Sequence, residues 1–190
     1  MPANRNIDDK KARIYAQAVL DSANGDREML IEYFDEFRTV FNEYKRENRL
    51  SRIFGEKLAT PEKRAEMAEA AFEPFAPGIR EVLVVMAARG DFDLINFVVE
   101  EYKFMAEDQL GAILVTVTTA VELDDHLRGV ITDKLEKDFG QDVIIREFVD
   151  KSIVGGIIMS AHGRTIDASI ATQLEKARAA LAASPVGGER

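Results

Sequence analysis

A glycine pair, two histidines near acids and hydroxyls, and several adjacent carboxylates are the residues of this sequence whose types could do chemistry. Gly155-Gly156 is the candidate phosphate cradle, because glycines let backbone amides approach an anion closely. Its context argues otherwise: no GxGxxG surrounds it, no lysine and hydroxyl follow as in a P-loop, and the next residues read as a strand. The pair reads instead as a loop or bulge opening a strand, where side chains would clash. His126, His162, Asp167 and Ser169 include the types of a nucleophile, a base and an orienter. Ser169 lies outside any GxSxG elbow, however, and Asp167 and Ser169 bracket a helix start, where both types serve as caps. Two histidines without cysteine do not compose a metal site, and neither a metal nor another cofactor is expected. The adjacent acids Glu100-Glu101, Glu107-Asp108 and Asp124-Asp125 point apart on a helix and read as solvated. The expectation is a protein that is not an enzyme.

Charge and composition narrow the partners. The chain has 190 residues, with 25 Lys and Arg against 34 Asp and Glu, for a net charge of -9. Divided after Met105, the parts carry 16 minus 20 (-4) and 9 minus 14 (-5), so neither is basic. Phosphate backbones are bound by clustered cations, so no nucleic-acid partner is expected. Cysteine is absent, which excludes disulfides and thiolate sites. No apolar run reaches the ~20 residues of a membrane helix, so no direct membrane insertion is expected, and the first dozen residues lack the apolar stretch of a secretory signal.

The elements that would position these residues follow from periodicity. Ala12, Tyr15, Ala16, Val19, Leu20 and Ala23 recur at helical spacing, with Asn24-Gly25 as a left-handed stop. Asp26 caps a second helix carrying Met29, Leu30, Tyr33, Phe34, Phe37, Val40, Phe41 and Tyr44. A short helical piece is expected from Asn48 to Phe54, and Thr60-Pro61 opens another through Phe72. Ile79 to Met86 form a fifth, ending at Gly90, and Leu94 to Met105 a sixth. The period then changes. Ala112 to Thr119, Val143 to Val149 and Gly156 to Ser160 read as strands, with a return through Arg164 to Ile166. A helix capped by Asp124 or Asp125 lies between the first two, and a final helix holds Ile170, Leu174, Ala177 and Leu181. The expected fold is mainly α: a helical bundle over 1-105, a small α/β domain over 106-184 and a disordered tail over 185-190. The aromatics, 11 Phe and 4 Tyr, fall mostly in the first part. They read as core, or alternatively as a groove for a partner helix.

Four segments together carry a resemblance. They are Ala12-Arg13-Ile14-Tyr15-Ala16-Gln17-Ala18, Val115 to Leu123, Val149-Asp150-Lys151-Ser152-Ile153-Val154-Gly155-Gly156-Ile157, and Ile166-Asp167-Ala168-Ser169-Ile170 followed by Leu174. In order and spacing they resemble the delta subunit of bacterial F-type ATP synthases, the mitochondrial oligomycin-sensitivity-conferring protein. The resemblance implies a six-helix bundle followed by a small α/β domain. It implies a non-catalytic stator part at the cytoplasmic face of the bacterial cell membrane, linking the catalytic head to the peripheral stalk so that rotor rotation is coupled to ATP synthesis. The bundle would seat N-terminal helices of the α subunits, with Tyr15, Ala18 and Val85 lining the groove. The second domain would hold the end of the b subunit. Asp150, Gly155, Gly156, Asp167 and Ser169 would be structural motif residues. The sequence departs from the family pattern at Asp91, where a basic residue is common. The competing reading is an α-helical adaptor that binds an amphipathic helix outside the synthase.

Overall fold

In a computed structural model the residues described are 2–46, 54, 59–162 and 164–183, and they form two units, Met1–Leu110 and Gly111–Arg190. The division falls at Gly111, rather than after Met105, because the preceding helix runs unbroken to Leu110. The first unit contains α1 (Pro2–Ser22), α2 (Arg27–Arg46), α3 (Pro61–Ala71), α4 (Pro77–Arg89) and α5 (Ile95–Leu110), with a 3-10 turn at Phe92–Leu94. The helical piece expected at Asn48 to Phe54 lies outside the described residues, apart from Phe54. The tail expected from 185 lies outside them too.

Local chemistry sets the helix ends. Asn24 and Gly25 turn left-handed after α1, at φ 50 and 74. The Asp26 carboxylate then accepts the Met29 N–H at 3.0 Å, capping α2. Thr60 Oγ1 accepts the Lys63 N–H at 3.3 Å, and Pro61 takes the first position of α3, where a missing N–H costs nothing. At the start of α4 no side chain of its own segment serves as cap. Glu36 on α2 supplies one, its two carboxylate oxygens accepting the Ala76 N–H at 3.1 and 3.0 Å. Burial pushes the Glu36 carboxyl above its ordinary range, opposed by that same hydrogen bond.

The core of this unit is aromatic. Tyr33, Phe34, Phe37, Phe54, Phe72, Phe92 and Tyr102 are all buried. Phe72 and Phe92 stack at 5.7 Å, and Phe54 lies 5.0 Å from Phe92. Of the two readings of the aromatics, core is the one these residues follow. The Tyr102 hydroxyl, fully buried, donates to the Leu30 carbonyl at 2.9 Å, and burial drives its pKa far upward, so it remains a donor at any physiological pH. Arg64 is a charged exception inside. Its Nε donates to Ala87 O at 2.7 Å and its two terminal nitrogens to Ala88 O at 2.6 Å and Ala59 O at 2.5 Å. The guanidinium therefore caps the negative C-terminal end of α4 from α3.

The second unit contains β1 (Ile113–Thr119), α6 (Asp125–Phe139), β2 (Val143–Val149), β3 (Gly156–Ala161), β4 (Arg164–Ser169) and α7 (Ile170–Ala183). The sheet order is β2-β1-β3-β4, with β1 parallel to β2 and antiparallel to β3. As an inner strand, β1 is buried nearly throughout, which fits its continuous run of aliphatic and β-branched residues. Ile113, Val115 and Val117 pack with Leu135, Ala161, Ile131 and Phe139, so α6 covers one face of the sheet. Asp124 caps α6 by accepting the Leu127 N–H at 2.7 Å, and Gly140 ends it at φ 68. β4 is longer than its expected start at Arg164 to Ile166, continuing to Ser169 beside β3.

Candidate interaction surface on the helical unit

α1 and α4 pack as an antiparallel pair whose contacts at both ends are defined by named side chains. On α1, Lys11, Tyr15, Ala18 and Ser22 recur at i, i+4, i+7 and i+11, one stripe of a helix. On α4, Gly78, Val82, Val85 and Arg89 repeat the same spacing. At one end Ser22 meets Gly78 so closely that a Cβ on Gly78 would lie 2.1 Å from Ser22 Oγ. At the other, Asp91 accepts the Lys11 ammonium at 2.7 Å and the Tyr15 hydroxyl at 2.8 Å. Ala18 lies between these anchors, opposite the Val82 and Val85 stretch.

Each helix of this pair carries exposed aliphatic side chains, with Glu81 and Arg89 exposed one turn to either side of Val85. Ile14 is 67% and Val85 41% exposed, and Ala18 is exposed between them. Ala18 and Val85 are thus both accessible, one on each helix of the pair. Tyr15 is buried. It is only 5% exposed, and its hydroxyl donates to the Asp91 carboxylate. Ile14 and Asp91 are the residues that sequence reasoning missed. Ile14 was legible as an apolar residue off the buried stripe of α1. Asp91 was visible as a departure from the family pattern, and its carboxylate receives Lys11 and Tyr15.

Electrostatics tie this cluster together. Burial raises the Tyr15 pKa, and the hydrogen bond to Asp91 raises it further. For Asp91, burial alone would raise the carboxyl, but hydrogen bonds from Lys11 and Tyr15 and the nearby charges of Lys11 and Arg89 outweigh it and hold the pKa below the usual range. The cluster therefore stays ionised at neutral pH and fixes how α1 meets the end of α4. A second groove, of about 650 Å³, runs between α1 and α5 and is lined by Arg13, Gln17, Leu20, Glu101, Phe104 and Asp108. It is charged where the α1–α4 face is aliphatic.

In the second unit the motif residues build turns and a cap. The Asp150 N–H donates to Thr119 O at 2.8 Å, and its carboxylate accepts the Ser152 N–H at 2.9 Å, shaping the turn after β2. Gly156, at φ 86, opens β3 where a Cβ would lie 2.5 Å from Ala168 O. That close approach of two backbones requires glycine. Gly155 stands against the Ile170 side chain, and its carbonyl accepts the Ile170 N–H at 2.9 Å. Asp167 accepts the Ser169 N–H at 2.8 Å and the Thr172 hydroxyl at 2.9 Å, while Ser169 Oγ accepts the Thr172 N–H at 3.3 Å. The Ser169 bonds and the Thr172 hydroxyl hold the Asp167 carboxyl below its ordinary range. These are capping interactions at the start of α7, and the glycine pair is occupied by chain packing.

The fold defines a class: a two-unit, mainly helical protein with a small four-stranded sheet in its second unit. Among the described residues, no group of three or more His, Asp or Glu side chains could hold a metal ion. The particular family follows from comparison with known proteins. A family profile described as ATP synthase delta (OSCP) subunit matches residues 12–181, and the chain belongs to that family. It is 31% identical to the ATP synthase subunit delta of Rubrobacter xylanophilus over 88% of this chain and 93% of the relative. Against the Enterococcus hirae subunit it is 28% identical, over 87% and 92%. A chain of Polytomella F-ATP synthase, solved by cryo-electron microscopy, is 32% identical over 37% of this chain and 91% of that chain, with a TM-score of 0.35. The protein is a non-catalytic, structural component of the peripheral stalk of F-type ATP synthase. None of its described helices is long and apolar enough to cross a membrane, and it is a peripheral part of the complex.

Proposed function

We propose that the helical unit seats an N-terminal helix of an α subunit on the α1–α4 face, while the second unit holds the end of the b subunit of the stalk. The chain then links the catalytic head to the stalk on the cytoplasmic side of the bacterial membrane, and resists the torque of the rotor so that rotation is coupled to ATP synthesis. The observation that carries this reading is the aliphatic face of Ile14, Ala18 and Val85, fixed at both ends by Ser22–Gly78 and Lys11–Asp91. Ala18 gives a partner helix close approach, and Ile14 and Val85 flank it as ridges. Tyr15 contributes from below, holding the floor in place through Asp91. Holding against torque calls for slow dissociation, which packed apolar contact supplies better than rim charge. The third helix of the six-helix bundle, Asn48 to Phe54, belongs to this proposal as well.

The absence of native cysteine makes a direct test simple. Ala18→Cys and Val85→Cys, carrying a short photo-reactive cross-linker in the assembled synthase, should capture the N-terminal segment of an α subunit. A probe at Phe104, in the α1–α5 groove, should not. Capture from Phe104 alone would move the docking site to that groove, and capture from none of the three would refute the bundle's role.

A further inference from the structure

We infer that the α1–α4 pair carries opposite charge at its two ends and so sets the direction of the helix it seats, whose amino terminus lies over Asp21 and Glu81. The inference rests on the proposal that this pair seats an N-terminal helix of an α subunit, and it adds the polarity of that helix.

Ser22 meets Gly78 at one end of the pair and Lys11 meets Asp91 at the other, so the two helices run in opposite directions. On α1, Lys11, Ile14, Ala18 and Asp21 follow at intervals of three, four and three residues and share one side of the helix. On α4, Glu81, Val85 and Arg89 are spaced by four. Ile14, Ala18, Asp21, Glu81, Val85 and Arg89 are all exposed, and the Lys11 side chain is 44% so. Antiparallel packing therefore brings Asp21 and Glu81 to the Ser22–Gly78 end, and Lys11 and Arg89 to the other.

The two ends differ in sign. At the first, Asp21 accepts the Gln17 side-chain amide at 2.7 Å, a neutral partner, and Arg80 is turned away from Glu81, its Nε 3.4 Å from Glu69 on α3. At the second, Lys11 and Arg89 stand against Asp91 alone, two cations to one acid. Asp8 and Asp9 lie about 100° and 160° around α1 from the centre of the stripe.

A helix presents roughly half a positive charge at its amino end and half a negative charge at its carboxyl end. An N-terminal segment adds its α-amino group, mostly protonated at neutral pH. Both charges draw the amino end to Asp21 and Glu81, so the docked helix runs with α4 and against α1. From Gly78 to Arg89 is about 16 Å, or three turns, which sets the length of helix that feels both ends. Apolar contact supplies most of the affinity; the charges choose between two directions that Ile14, Ala18 and Val85 accept almost equally.

The test is nuclear magnetic resonance of the full chain with a synthetic α-subunit N-terminal peptide from the same synthase, carrying a nitroxide at one end or the other. The amino-end label should broaden the amide signals of Asp21 and Glu81, and the carboxyl-end label those of Lys11 and Arg89. Acetylating the peptide's amino group should weaken binding to the wild type about threefold and leave its binding to Asp21→Asn/Glu81→Gln unchanged. At 1 M salt, where the Debye length is about 3 Å, the acetylation effect should vanish. Broadening in the reverse order, or an acetylation effect equal in both proteins, overturns the polarity and leaves the docking proposal standing. If the unlabelled peptide does not bind the wild type, or if the labels broaden Phe104 and not Val85, the docking proposal falls and the polarity falls with it.

Discussion

Replacing Arg64 by methionine isolates the most concentrated polar interaction in the helical unit. Methionine keeps an unbranched apolar stem of similar reach and removes every donor. Three carbonyls are affected, those of Ala59, Ala87 and Ala88. Hydrogen bonds from a charged donor are worth about 1.5–3 kcal/mol each, so a simple sum approaches 4.5–9 kcal/mol. Two corrections reduce it. Ala87 O keeps a second partner, the Gly90 N–H at 3.1 Å, and the bonds to Ala59 and Ala88 are only partly buried, so water replaces part of them. Methionine also removes the desolvation cost of a buried guanidinium, which offsets some of the loss. A net destabilisation of about 3 kcal/mol remains. For a unit of this size that corresponds to a fall in Tm of roughly 12 °C. Thermal unfolding of the full chain by calorimetry reads it directly, with the transition of the second unit as internal reference. Arg64→Lys should recover only a minor part, since an ammonium is a point charge without the planar fork that reaches three carbonyls. A loss below about 1 kcal/mol for Arg64→Met would show that water satisfies the end of α4 and that the cap reasoning is wrong.

Gly156→Ala should destabilise the second unit by about 3 kcal/mol or more, since it combines a positive φ with a backbone clash against Ala168; a change under 1 kcal/mol, measured by urea unfolding, would contradict the close approach of β3 and β4. Tyr102→Phe should cost about 1 kcal/mol by removing the buried hydroxyl's hydrogen bond to the Leu30 carbonyl, which keeps its helical donor, and equal stability of the two proteins would mean that this tie between α2 and α5 contributes nothing. The depressed Asp91 carboxyl gives a pH signature. Its stabilisation is complete above the ordinary aspartate value of about 3.9 and is lost as pH falls through the lower folded-state value. Unfolding free energies of wild type and Asp91→Asn should therefore converge on acidification, whereas curves that stay parallel would exclude this contribution.

How much of this was legible in the sequence differs from residue to residue. Helix ends were readable wherever the cap is local: Asn24-Gly25, Asp26, Thr60-Pro61, Asp124 and Gly140 act within one turn of chain. Ala76 was not, because its cap is Glu36, forty residues away and on another helix. The role of Arg64 has no local signal for the same reason, since two of its acceptors, Ala87 and Ala88, are at the end of α4. Periodicity grouped Ile170, Leu174, Ala177 and Leu181 correctly on one side of α7, but it reports which residues share a face and not whether the chain covers that face. On α1 too, periodicity does not report exposure. Tyr15, expected as a groove-lining anchor, is drawn inward by Asp91, and the accessible ridge beside Ala18 is Ile14. A hydrogen bond between residues 76 positions apart has no signature in a single sequence.

The central claim is that the α1–α4 face binds a helix from the head of the synthase. Titration calorimetry of the full chain with a synthetic α-subunit N-terminal peptide tests it most directly, comparing wild type with Ala18→Asp. Ala18 is exposed in the free chain, so the substitution leaves the fold intact, and in the complex it buries a carboxylate without a partner. The account predicts saturable one-to-one binding by the wild type and a loss of at least about 100-fold for Ala18→Asp, with unchanged melting. Equal affinity of the two proteins for the peptide would contradict it.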